Sequence, residues 1–124
     1  MGTWGSGNFE SDTARDYLSS FVDRLVAEVA EAMDGDPVAI EPDEYEGVAV
    51  PCRLELLHVL TRAGHTSDTP LRPELVEQWK KHFMAVWERT IDGLEPAQGF
   101  KEQRRAVLIR TFDQLAEATA AHGA

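Results

Sequence analysis

Apolar positions recur at steps of three and four along most of the chain, and the longest such run comes first. From Ser11 to Met33 they are Ala14, Tyr17, Leu18, Phe21, Val22, Leu25, Val26, Val29 and Met33, one stripe of an amphipathic helix. Ser11 or Asp12 is its N-cap, and Asp12 and Asp16 put negative charge at the positive end of the helix dipole. "DGDP" (34–37) ends it, with Gly35 suited to a left-handed turn and Pro37 unable to continue.

"PCRLELLHVLTRAG" is helical from Pro51, with Leu54, Leu57, Val59, Leu60 and Ala63 inward and Gly64 as the stop. Its start is open: Pro42 and Pro51 both suit a first helical turn, and a start near Asp43 leaves Pro51 inside as a kink. A third helix runs from Pro73 to about Asp92 and buries Val76, Trp79, Phe83, Val86, Trp87 and Ile91. A fourth, from about Phe100 to Ala121, shows Val107, Leu108, Phe112, Leu115 and Ala118. "PVAI" and "GVAV" are short apolar runs better read as loop or helix entry than as strands. The predicted fold is all-α: one domain over residues 1–124, a compact bundle of four helices, with 1–10 latched onto it and 119–124 fraying. A chain of 124 residues is long enough for one such core and too short for two.

Charge changes the picture next. The net charge is −10, and residues 1–50 carry 12 Asp/Glu against only Arg15 and Arg24. Such a surface repels phosphate backbones and anionic lipid, so nucleic acid and membrane are excluded as partners and a basic protein surface is favoured. Cys52 is the only cysteine, which excludes an internal disulfide and a four-thiolate zinc site. No apolar run is long enough to span a bilayer and no secretory signal pattern opens the chain, so a cytoplasmic location is expected.

Candidate chemistry is sparse. The glycines of "MGTWGSGNF" lie at 2, 5 and 7, whereas a dinucleotide fingerprint needs n, n+2 and n+5 after a strand, and a P-loop ends in Gly-Lys-Ser/Thr. "MGTWGS" fits the myristoylation pattern, but no Lys or Arg precedes Arg15 to supply the second anchoring signal. "DGD" at 34–36 fails as a calcium loop, because Val38, Ala39 and Tyr45 stand where a ligand, glycine and glutamate are required. "ELLH" sets Glu55 and His58 on one helical face, but di-iron bundles need two such pairs. Trp79, Phe83 and Trp87 share a stripe that reads as core.

"MGTWGSGNFESDTARDYL" resembles the opening of a bacterial family known as domain of unknown function 4259. The matching positions are Gly2, Trp4, Gly5, Gly7, Phe9, Glu10, Asp12, Ala14 and Asp16. "CRLELL" looks like that family's alanine-rich segment and makes Glu55 the counterpart of its glutamate; Pro51 and Arg53 depart from it. The resemblance implies a small, mainly helical cytoplasmic protein and assigns no activity. It singles out Trp4, Gly5, Gly7, Phe9, Asp12, Asp16 and Glu55 as the candidate site. The glycines allow the segment to turn and lay Trp4 and Phe9 on the bundle beside Tyr17 or Leu18, as a terminal clamp or as the wall of a small pocket.

The expected function is non-catalytic protein binding through the acidic N-terminal third, with no cofactor. A specific version is an immunity-like inhibitor that meets a basic toxin or nuclease. The alternative is a small enzyme or metal protein built on Asp12, Asp16, Glu55 and His58, which requires those side chains to converge. The sequence leaves the oligomeric state open.

Overall fold

The computed structural model describes residues 2–122; Met1, Gly123 and Ala124, the extremities of the expected latch and tail, lie outside them. Four helices follow in order: α1 (Asp12–Asp34), α2 (Tyr45–Arg62), α3 (Pro73–Thr90) and α4 (Gln98–His122). Short 3-10 helices Pro37–Ile40 and Ile91–Leu94 lie between α1 and α2 and at the end of α3. Among the described residues there is no strand, only one isolated antiparallel bridge between Thr3 and Ser11. The bundle is therefore all-α, as the 3.6-residue periodicity requires.

Its interior joins Val22, Leu25, Val29 and Met33 of α1 to Val50, Leu54 and Leu57 of α2. From the other side come Trp79, Phe83 and Trp87 of α3 with Phe112 and Leu115 of α4. Phe83 and Phe112 meet as a tilted pair, with centroids 5.6 Å apart at 51°, a geometry that aromatic quadrupoles favour. All six core positions predicted for the third helix are buried, five in α3 and Ile91 in the 3-10 helix that follows it. Lys80–Asp113, at 2.7 Å, and Arg105–Glu88 tie α3 to α4 across the surface.

Several expectations give way. Tyr17 and Phe21 of α1 and Val59 of α2 point outward, because α1 and α2 are each covered along a narrower arc than their apolar positions span. Ala63 is also exposed. Gly35 is extended (φ −84°, ψ −165°); the left-handed glycine is Gly64, at φ +83°. There the Gly64 amide donates to the Thr61 carbonyl and the His65 amide to that of Leu60, the paired bonds of a Schellman ending. The C-terminal helix continues to His122, with Thr119 buried and Ala120, Ala121 and His122 exposed.

α2 begins at Tyr45, so Pro51 is interior. Proline offers no N–H to the carbonyl four residues back, which belongs to Gly47. Both residues are buried, and packing of Val50, Leu54 and Leu57 against the core carries the helix through the missing bond. Gly47 is required for another reason: the Glu41 main chain lies against it, and a Cβ there would sit 1.9 Å from the Glu41 oxygen. Arg53, on the same helix, reaches Glu28 at 3.0 Å and Glu46 at 2.5 Å. Burial disfavours its charge, but the Glu46 hydrogen bond and the charges of Glu46 and Glu28 outweigh this and raise the guanidinium pKa.

Candidate functional site

The signature segment folds back on itself before it meets the bundle. The Trp4 amide donates to the Glu10 carbonyl at 2.9 Å, the Asp12 amide to Gly2 at 2.5 Å, and the Glu10 amide to Gly7 at 3.2 Å. Ser11 caps α1 by accepting from the Ala14 amide. Two acidic side chains complete the ring. Asp12 accepts the Trp4 indole N–H at 3.0 Å, and Glu10 accepts the Gly7 amide at 3.2 Å.

The Glu10 carboxylate occupies the volume that a side chain at position 5 would need: a Cβ on Gly5 would lie 1.7 Å from Glu10 Oε2. A Cβ on Gly7 would be less crowded, 3.1 Å from Glu10 Cδ. The spacing Gly5, Gly7, Glu10 thus encodes a carboxylate laid over bare backbone. Glu10 is the informative residue that the candidate site lacks, and its sequence signal is its place among the matched positions of the signature, three residues after a glycine in a turn-rich stretch.

Of the two expected neighbours of the aromatic rings, Leu18 lies in the same cleft wall as Trp4 and Phe9, and Tyr17 does not. Trp4 is 55% exposed and is held by its indole nitrogen, while Phe9, 42% exposed, meets His65 as a tilted pair, with centroids 4.7 Å apart at 53°. His65 stands there because the Schellman ending of α2 delivers it. No local pattern reveals that meeting, since 56 residues separate the partners. Between them opens a cleft of about 480 Å³ walled by Trp4, Phe9, Arg15, Leu18, His65 and Thr66. The following loop is pinned to α1: Ser67 donates to Asp23, and Ser19 accepts the Asp68 amide at 3.1 Å.

Because Trp4 is about half solvated, its loss removes one hydrogen bond and only part of the area that a fully buried ring would lose. Trp4→Ala is therefore expected to cost about 2 kcal/mol, below the roughly 3–5 kcal/mol typical of a buried tryptophan. Urea denaturation checks this, and a loss above about 3 kcal/mol would mean that the ring is packed.

The other candidates do not join this cleft. Asp16 is exposed on α1 and Glu55 on α2. His58 lines a separate groove with Arg62, Gln114 and Glu117. Asp12 is engaged by Trp4, so Asp12, Asp16, Glu55 and His58 are not assembled. Among the described residues no group of three or more His, Cys, Asp or Glu could hold a metal ion, and no helix is long and apolar enough to cross a membrane.

A second surface stands out by charge. No Lys, Arg or His lies between Arg24 and Arg53, while eight carboxylates do. Glu28 and Glu46 are consumed by Arg53. Glu31, Asp34, Asp36, Glu41, Asp43 and Glu44 have no ion pair among the described residues and gather where α1 ends and α2 begins.

No curated protein and no solved structure matches the chain. One family model does, over residues 2–121, nearly the full length and including the loop just described. The chain belongs to the family named for its domain of unknown function (DUF4259).

Proposed function

We propose that the protein is a non-catalytic binding module whose acidic pole, Glu31 to Glu44, docks a basic protein surface. The observation that carries this is the placement of Glu31 and Asp34 at the C-terminal end of α1, whose last turn holds no basic residue. Carboxylates there oppose the helix dipole at a cost of a few tenths of a kcal/mol each. Local rules are broken in this way where function compensates. Val38, 54% exposed on the connecting 3-10 helix, gives the pole an apolar contact within the ring of charge.

An immunity-like inhibitor of a basic toxin or nuclease is one case of this arrangement and shares its physics: steering by opposite charge, with affinity falling as salt rises. Cross-linked copurification from the native host tests it, comparing the wild type with Asp34→Lys/Glu41→Lys/Glu44→Lys. A basic protein retained by the wild type and absent from the variant supports the proposal. Identical eluates, or nothing retained by either, sink it.

A further inference from the structure

The N-terminal cleft and the acidic pole are separate surfaces. Arg15, in the cleft wall, and Asp34, at the pole, stand 19 residues apart on α1, about 28 Å along its axis. A ligand in the cleft therefore leaves the pole free.

Trp4 and Phe9 are each about half exposed in this concave site, and the buried Leu18 shares their wall. Its volume of about 480 Å³ falls in the range of small-molecule sites, roughly 300–1,000 Å³, which are lined in this way by apolar and aromatic groups. The rings are positioned without a ligand. The Trp4 indole N–H is held by Asp12 and its amide by the Glu10 carbonyl, while Phe9 contacts His65. Walls set in advance lower the ordering cost of binding. With its one N–H spent on Asp12, the Trp4 indole has only its faces to offer, and a planar apolar group is what stacks there.

Charge specifies the rest of the ligand. Glu10 lines the cleft, but its carboxylate accepts the Gly7 amide and lies over Gly5. The nearby end of α2 is also spent, since its Val59, Leu60 and Thr61 carbonyls take the Ala63, His65 and Gly64 amides. Arg15 is different. Its side chain is 66% exposed, and its one ion pair among the described residues is with Asp68, 3.8 Å from Nε, too far for a hydrogen bond. A carboxylate entering the cleft has only this solvated contact to displace, and the open guanidinium fork can hold it through two parallel hydrogen bonds. We propose that the cleft binds a small aromatic carboxylate, with its ring against Trp4 and Phe9 and its carboxylate on Arg15.

Amide proton–nitrogen correlation spectra of the full chain, titrated with naphthylacetate, test this; naphthylethanol and naphthylethylamine are the neutral and cationic matches. Expected is a saturable shift of the Trp4 indole N–H, assigned by its loss in Trp4→Phe, together with the amides of Phe9, Gly64 and His65. The indole signals of Trp79 and Trp87 should stay in place, since both rings are in the core. Arg15→Gln, at an exposed position that leaves those two signals unmoved, should weaken binding of the acid about tenfold through loss of a charge-assisted contact. The alcohol should bind the wild type about as weakly as the acid binds that variant, and the amine more weakly still. The assignment is overturned by the absence of a saturable shift with the acid, by an Arg15→Gln protein that binds it as the wild type does, or by an alcohol or amine that binds as well as the acid. An amine that does so would point instead to a cation over the Trp4 face.

Discussion

Gly47→Ala is expected to destabilise the protein by about 3 kcal/mol or more, toward the upper end for overpacking. The added Cβ would lie 1.9 Å from the Glu41 carbonyl oxygen, 2.8 Å from its carbon and 3.0 Å from the Ile40 oxygen. These are main-chain atoms, so no rotamer change relieves the clash, and either the turn before α2 or the first turn of α2 must move. Gly99→Ala is the matching control. Nothing lies within 4 Å of a Cβ at Gly99, and the substitution stiffens the unfolded chain, so stability should hold or rise by up to about 1 kcal/mol. Thermal unfolding of the pair separates crowding from glycine loss in general. A Gly47→Ala protein that melts with the wild type would show that the Glu41 turn is not docked on the helix.

Phe112→Ala should cost about 3–5 kcal/mol, the range for emptying a fully enclosed aromatic position. Its side chain is fully buried and faces Phe83 across the α3–α4 contact. A double-mutant cycle with Phe83→Ala should return a coupling of about 0.5–1.5 kcal/mol, the part owed to ring geometry. Zero coupling in urea denaturation would mean that the two rings contribute by area alone.

The contrast between α3 and α2 explains what could be foreseen. In α3 the apolar residues form one stripe opposed by charges, so periodicity names the buried face, and it names it correctly at all five positions in the helix and at Ile91 just beyond it. In α2 the apolar residues run nearly all round, so periodicity cannot choose between Val50 and Val48, one buried and the other exposed. Its start was ambiguous for a different reason: proline rules suit Pro42 and Pro51 equally, and burial of Gly47, Val50 and Leu54 goes with the earlier start that leaves Pro51 inside. The capping of α1 by Ser11 was legible because capping is local. At the N-terminus the sequence marked the residues, but it misplaced their contacts. Glu10 and Asp12 draw the glycines and Trp4 into a closed ring, and of the two expected neighbours Leu18 shares the cleft wall with Trp4 and Phe9 while Tyr17 does not. Phe9 finds His65, which only the folded end of α2 supplies.

The division among the three tryptophans has an optical consequence. Trp79 and Trp87 are 4% and 2% exposed in the core, while Trp4 stands 55% exposed on a ring held by hydrogen bonds rather than by burial. Segments of that kind open at lower free energy than the core that supports them. Intrinsic fluorescence from this chain therefore mixes two independent signals, one following detachment of the N-terminal ring and the other the collapse of the bundle. A single-transition fit to total emission would merge two cooperative units into one.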